Sequence, residues 1–354
     1  MSFTFKKEMP SAEHLKELLP VPSDSAEIRI KRIREIEAVL SGKDNRILLI
    51  IGPCSADNED SVCDYISRLA SVQNEVNDKI LLVPRVYTNK PRTTGEGYKG
   101  MMHQPDPNEA PNAFEGIKAI RQMHLRVLRE TGFVSADEML YPGNHPYLDD
   151  LLGYVAVGAR SVENQQHRLV ASGLDMPIGM KNGTGGDTGV MFNAIYAAQH
   201  GHDFIYQNHE VTTNGNPYAH AILRGGIDER GRNIPNYHYE DLLRIASEYD
   251  EKGFENPAVI IDTNHNNSAK QFNQQPRIAS EVMHSMAYEP LLRKMIKGFM
   301  VESYIEEGNQ KIGENSIYGK SITDPCLGWK DTETMIYKPV SYTHLRAHET
   351  SAHL

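Results

Sequence analysis

The chain has 354 residues, a formal net charge of −10 at neutral pH and three cysteines. The acidic balance argues against nonspecific nucleic-acid binding, and Cys54, Cys63 and Cys326 are too few and too scattered for a disulfide framework or a zinc finger. No apolar run approaches the roughly 20 residues of a membrane span, and Met1–Lys7 lacks the apolar core of a secretory signal. Neither a membrane nor a nucleic acid is therefore expected as a partner, and a reducing cytoplasm is the expected compartment.

Residues 1–46 read as an N-terminal helical arm. Ser11 is placed to cap a short helix that Pro20 ends. A second helix is expected over Ser25–Leu40, with Ile33, Ile36 and Leu40 as its apolar stripe and Gly42 as its stop. Such an arm must pack on its own domain or on a neighbouring subunit. From Ile47 onward strands and helices alternate. Ile47–Cys54 is an apolar run halted by Gly52-Pro53, the pattern of a strand buried on both faces. Further strands are expected at Ile80–Tyr87, Phe133–Leu140, Tyr154–Arg160, Pro177–Lys181, Asp203–Asn208, Ala258–Asp262 and Gly298–Glu302. Helices are expected at Glu59–Val76, Phe114–Glu130, Tyr147–Gly153, Val162–Ser172, Val190–His200, Tyr239–Tyr249, Arg277–Arg293 and near Thr332. Thr88–Asn112 reads as a long polar loop and Glu210–Asn236 as an insertion.

Eight such units close a (β/α)8 TIM barrel, expected over residues 47–338. An open doubly wound sheet would show a Gly-rich fingerprint after its first strand. Gly52-Pro53-Cys54 is no such fingerprint, and Gly183–Thr188 lacks its third glycine and follows strand five.

Barrel enzymes assemble their sites at the C-terminal ends of the strands. Those ends carry Cys54, Arg85 with Lys90 and Arg92 beyond it, Glu138, Arg160, Lys181, Asn208, His265 and Glu302. Arg224 lies in the insertion, and Asp324 follows the last strand. Singly, each has a bland reading: a core thiol, a surface histidine, a solvated charge. Their coincidence at one end of one fold is what carries weight. They fall into two chemical groups. Cys54, His265, Glu302 and Asp324 offer mixed S, N and O donors suited to a divalent transition metal. Arg85, Lys90, Arg92, Arg160, Lys181 and Arg224 are cations that need anions to pair with when buried together. The expectation is a site for anionic small molecules beside a metal, with Lys90-Pro91-Arg92-Thr93 as a phosphate clamp.

In this order the residues resemble the class I 3-deoxy-D-arabino-heptulosonate 7-phosphate (DAHP) synthases of the shikimate pathway. The motifs are Gly52-Pro53-Cys54-Ser55, Lys90-Pro91-Arg92-Thr93-Thr94, Gly158-Ala159-Arg160, Lys181-Asn182-Gly183-Thr184, Leu223-Arg224-Gly225-Gly226, His265 within 264–270, Val301-Glu302-Ser303, Glu307-Gly308-Asn309-Gln310, and Ser321–Asp324 with Gly328-Trp329. They span roughly residues 10–335. The resemblance implies a metal-dependent condensation of phosphoenolpyruvate with erythrose 4-phosphate that releases phosphate. It implies Cys54, His265, Glu302 and Asp324 as ligands of a divalent ion (Mn2+, Fe2+, Co2+ or Zn2+). Arg85, Lys90, Arg160, Lys181 and Arg224 would hold phosphoenolpyruvate, and Pro91, Arg92 and Thr93 would belong to the erythrose 4-phosphate clamp. Lys90 is the expected proton donor or polariser, and Glu138 is an acidic residue of the site. A homodimer or homotetramer and an aromatic amino acid effector are also implied, with the arm as participant and Asp175 and residues 141–146 near the effector's place.

The chain departs from that pattern in places. Its 94–112 loop is longer and richer in Gly and Pro, and Asp262-Thr263-Asn264-His265 replaces a more usual Asp-Phe-Ser-His. Pro339–Leu354 lacks helical periodicity and reads as a non-native or disordered tail. Two rival readings are a synthase using another phosphosugar, such as arabinose 5-phosphate, and a non-catalytic barrel that senses phosphorylated metabolites. The Lys-Pro-Arg-Thr-Thr run and the arm favour erythrose 4-phosphate over the first. The complete donor and cation sets argue against the second.

Overall fold

The computed structural model describes residues 2–313 and 315–338. The expected tail at 339–354 lies outside the described residues. Eight parallel strands form the central sheet: β1 Ile47–Gly52, β2 Ile80–Pro84, β3 Ser135–Glu138, β4 Leu152–Val157, β5 Ile178–Lys181, β6 Ala219–Leu223, β7 Val259–Asp262 and β8 Ile296–Glu302. Their spatial order is β2-β1-β8-β7-β6-β5-β4-β3. A parallel bridge from Arg85 to Ala136, with Val86 N–H donating to Ala136 O at 2.8 Å, joins β2 to β3 and closes the ring. This is the (β/α)8 barrel expected from the alternation.

Every residue of β2, β3, β4, β5, β6 and β7 is buried, as staves covered on both faces must be. The main helices are α1 Ala12–Leu18, α2 Ser23–Leu40, α3 Glu59–Val76, α4 Ala113–Thr131, α5 Gln165–Ala171, α6 Thr188–Gln199, α7 Tyr239–Glu251, α8 Gln275–Tyr288 and α9 Pro290–Met295, with a last helix over 329–338. Several begin where a side chain satisfies a free backbone N–H. Asn58 accepts from Ser61 N, Asn112 from Glu115 N, and Asp187 from Gly189 N. Gly132, at φ +68°, ends α4 in the left-handed conformation that glycine adopts without strain.

The expected sixth strand is misplaced. Asp203–Tyr206 pairs antiparallel with His209–Thr212 in a separate, largely exposed hairpin. The sixth stave is Ala219–Leu223, inside the stretch read as an insertion. The β-rich Phe204-Ile205-Tyr206 outweighed a stave whose signal is diluted by two alanines and His220. Arg224 thus follows a barrel strand directly, and Asn208 sits outside the ring. The expected helix over 147–153 is instead a 3-10 turn, Pro142–Tyr147, leading into β4. The helix expected from Val162 begins at Gln165, where Asn164 accepts from His167 N.

The arm lies against the N-terminal ends of the staves, away from the residues just named. Arg29 Nε donates to Leu152 O at 2.8 Å, and Arg32 Nε to Gly132 O at 3.3 Å. Gly42, which follows α2 at φ +75°, lies beside Lys297 at the start of β8. Ser11 caps α1 as expected, accepting from His14 N at 3.1 Å.

Candidate active site

Register brings the strand ends to one level. Gly52 pairs with Glu302 and Ile51 with Pro84, so Cys54, Arg85 and Glu302 are neighbours. Gly52 is required there, since a Cβ would lie 2.2 Å from Arg85 O.

Glu302 is the electrostatic centre. Its Oε1 accepts from Arg85 Nη1 at 2.7 Å and its Oε2 from Asn264 Nδ2 at 2.5 Å, with all three groups buried. Gln275 fixes the backbone, its side chain accepting from Glu302 N and donating to Glu302 O. Burial alone would raise the Glu302 pKa. Arg85, His265 and Lys90 outweigh it and hold the carboxyl well below its usual value. Arg85 also donates to Cys54 O at 3.2 Å and stacks 4.0 Å above the Tyr87 ring.

Cys54 Sγ lies 3.7 Å from Asp324 Oδ2, and the donor atoms of Cys54, Glu302 and Asp324 all fall within 4.8 Å of one another. His265 stands beside this trio, Nε2 3.8 Å from Glu302 Oε1, outside the 4.8 Å cluster. Its Nδ1 is 2.8 Å from Asp262 Oδ2, close but poorly directed as a hydrogen bond. That carboxylate leaves Nε2 turned to the cluster, the arrangement common around metal-bound histidines. His265 has φ +48°, a strained conformation for a non-glycine residue. One soft thiol, one imidazole and two carboxylates in this arrangement fit a divalent transition metal. Burial, then Glu302, push the Cys54 thiol pKa up, so its deprotonation awaits a cation.

The cations line the rest of the mouth. Lys181, at the end of β5, is buried with Nζ 3.7 Å from both Glu138 Oε2 and Asp262 Oδ2, and 5.4 Å from the Tyr87 ring. Burial raises Asp262, but His265 and Lys181 outweigh it and hold that carboxyl below its usual range. Lys90 is half-buried. Burial would lower its pKa, but Cys54, Glu302 and Asp324 overcome this and raise it, so it stays an ammonium. Arg224 is buried and its pKa lowered by desolvation. Asn182 and Asn236 pin its backbone, Asn182 Oδ1 accepting from Arg224 N at 2.9 Å and Asn236 Oδ1 from Gly225 N at 2.8 Å. Arg160, Arg92 and Thr93 are exposed at the rim and Pro91 is half-buried. Arg92 Nε donates to Tyr98 O at 2.8 Å, which turns that side chain along its own loop.

Four further residues belong to the site: Asp262 and Asn264, which the sequence marks only as a departure from the family pattern, and Gln275 and Tyr87, which it does not mark. Asp262 could have been found, as the only charge closing the run Val259-Ile260-Ile261. The others act through contacts across the barrel that no local pattern records.

Just beyond Cys54, burial raises Asp57 to about 6, against a hydrogen bond donated by Tyr304 Oη at 3.0 Å. A carboxyl raised on folding binds more protons folded than unfolded, so stability falls as pH rises from about 4 to 6. Asp57→Asn should therefore gain on the order of 2 kcal/mol over the parent at pH 8 and nothing at pH 4. Denaturant melts of both proteins at the two pH values check this, and an equal gap at both would refute it.

A family model described as the DAHP synthetase I family matches residues 25–336. The Trp-sensitive phospho-2-dehydro-3-deoxyheptonate aldolase of Escherichia coli K12 is 38% identical over 321 residues, 88% of each chain. The Phe-sensitive enzyme of the same strain is 37% identical over 93% of each. A phospho-2-dehydro-3-deoxyheptonate aldolase structure from Francisella tularensis superposes with TM-score 0.88 at 30% identity, covering 95% of this chain and 96% of that one. Relatives matched nearly end to end, on a barrel whose mouth gathers the donors and cations described above, leave one assignment: the chain belongs to the DAHP synthetase I family.

Proposed function

We infer that this barrel is a 3-deoxy-7-phosphoheptulonate synthase, condensing phosphoenolpyruvate with D-erythrose 4-phosphate to give DAHP and phosphate, the first step of the shikimate pathway. The observation that carries the reading is the meeting of a thiol–carboxylate cluster and a set of cations at one end of a barrel of this family. Arg85, Lys90, Arg160, Lys181 and Arg224 are assigned to the phosphate and carboxylate of phosphoenolpyruvate. Arg92 and Thr93, on the loop that Pro91 stiffens, are assigned to the sugar phosphate. Two anions that repel in water are thereby held together in reacting order.

Cys54, His265, Glu302 and Asp324 would hold the metal, with manganese, iron, cobalt and zinc as candidates. When bound, its contribution is Lewis-acid polarisation of the aldehyde. C3 of the enol phosphate then attacks the aldehyde carbon, and Lys90, kept protonated by its anionic neighbours, is placed to deliver a proton to the aldehyde oxygen. Water adds at C2, and the hemiketal phosphate collapses with C–O cleavage. Phosphate release from the purified chain with both substrates and Mn2+ tests the reading. Turnover should vanish on chelation and return with metal. Turnover with arabinose 5-phosphate in place of erythrose 4-phosphate would redirect it, and none with either would sink it.

The relatives named for Trp, Phe and Tyr sensitivity support an aromatic amino acid effector. We assign it to a cavity of about 460 Å3 lined by Arg29, Asp175, Leu174, Phe204 and Val211, which offers a cation, an anion and an apolar wall to a zwitterion with a ring. Exposed Phe3, Phe5 and Ile205 suit a subunit interface in a homodimer or homotetramer in which the arm takes part. Action in the cytoplasm belongs to the same reading. Among the described residues no helix is long and apolar enough to cross a membrane.

A further inference from the structure

Neighbouring residues of β3 face opposite ways. Glu138 turns into the mouth toward Lys181, and Asp137 turns away from it toward α4. A barrel stave normally presents an apolar side chain to its helix layer, and a carboxylate there is costly to bury. Asp137 is 4% exposed and borders a small cavity with Ile120, Leu148, Leu152 and Val155. The group facing it from α4 is His124, fully buried, with Nε2 3.6 Å from Asp137 Oδ2 and neither ring nitrogen hydrogen-bonded. Nothing in the condensation uses this pair.

Asp137 instead grips the root of the Lys90–Thr93 loop. Its Oδ1 accepts from Thr88 N at 2.9 Å and its Oδ2 from Thr88 Oγ1 at 2.5 Å. Thr88 in turn gathers both ends of the loop: its carbonyl accepts from Met102 N at 3.2 Å and its hydroxyl from Asn89 Nδ2 at 3.2 Å. Above this root, Lys90 N–H donates to Lys99 O at 2.9 Å, so residues 90–99 form a closed excursion standing on one clasp.

We propose that Asp137, backed by His124, is a positioning residue that sets the angle at which the Lys90–Thr93 loop presents Arg92 and Thr93 to the sugar phosphate. The proposal rests on the assignment of that loop to erythrose 4-phosphate. Phosphoenolpyruvate depends on it less: of its assigned cations only Lys90 rides on the loop, while Arg85 sits at the end of β2 ahead of the clasp and Lys181 and Arg224 stand on other staves.

The test is steady-state kinetics on Asp137→Leu, Asp137→Asn and Arg92→Ala in the metal-loaded enzyme. Asp137→Leu should raise KM for erythrose 4-phosphate about tenfold while KM for phosphoenolpyruvate stays within about twofold. Asp137→Asn, which can still accept from Thr88 N–H and donate to its hydroxyl, should recover most of the loss. If Arg92→Ala raises that KM and Asp137→Leu does not, the clasp is not positioning the loop and the inference falls alone. If Arg92→Ala also leaves it unchanged, the loop assignment falls and takes the inference with it. A parallel loss in both KM values and kcat, unrescued by asparagine, would mark Asp137 as merely structural. Should Asp137→Leu fail to fold, Thr88→Val removes one arm of the clasp. It should raise the same KM about threefold, and an unchanged value would overturn the proposal.

Discussion

Cys54→Ala is expected to abolish metal-dependent turnover while leaving the barrel folded. The side chain is fully buried, yet its packing role is small, and losing one sulfur from the core costs about 1 kcal/mol. The backbone contacts survive the change: Cys54 N–H still reaches Cys326 Sγ at 3.4 Å, and Cys54 O still accepts from Arg85. What is lost is the soft donor of the cluster formed with Glu302 and Asp324. Without it the two carboxylates compete for a cation against Arg85 and Lys270, the latter 3.2 Å from Asp324 Oδ1. Metal content after gel filtration should fall from near one equivalent to near none, and kcat/KM with both substrates should fall by about a thousandfold or more. The melting temperature of the metal-free protein should barely move. Full activity, or full metal content, in the variant would undo the role given to this thiol.

The barrel was legible in the chain because its signal is collective. Buried strands and helices alternate often enough that misplacing one stave leaves the count at eight. The error at β6 is instructive, since Asp203–Tyr206 has the better strand composition and only pairing partners decide which segment joins the ring. Had Ala219–Leu223 been placed correctly, Arg224 would have appeared at a strand end with the other cations. The site was legible where it depends on residue type at a strand terminus, as with Cys54, Glu302 and Lys181. It was illegible where it depends on contacts between staves far apart in sequence. Asn264 on Glu302 and Gln275 on both backbone groups of Glu302 are uncharged residues in loops or helix starts, with no local pattern to mark them. Asp137 is hidden for a similar reason: beside Glu138 in the sequence, it reads as a second solvated carboxylate, and only strand alternation separates their roles.

The largest effect on stability is expected at Arg121, far from the chemistry. This α4 residue is fully buried and ties three elements together. Its Nε and Nη2 donate to Leu19 O at 3.0 and 2.8 Å, its Nη1 to Tyr147 O at 3.0 Å, and its guanidinium meets both oxygens of Asp150 at 2.6 and 2.8 Å. Leu19 belongs to the arm, just past α1, and Tyr147 ends the 3-10 turn before β4. Arg121→Met keeps much of the apolar stem but leaves Asp150 and the half-buried carbonyls of Leu19 and Tyr147 without this donor. Asp150 is a third exposed, so water takes up part of the stranded charge and breaking this pair from one side costs about 2–3 kcal/mol, less than for a fully buried pair. For a chain of this size the melting temperature should drop by roughly 3–4 °C. The loss should be shared with the arm: protease should cut within residues 1–22 of the variant faster than in the parent, because Leu19 O is the arm's anchor on α4. Adding Asp150→Asn should recover part of the loss, since the stranded group is then neutral. An unchanged melt and an unchanged cleavage rate would mean that the arm is held elsewhere, through Arg29 on Leu152 and Asp149, and that the Arg121 cluster is dispensable.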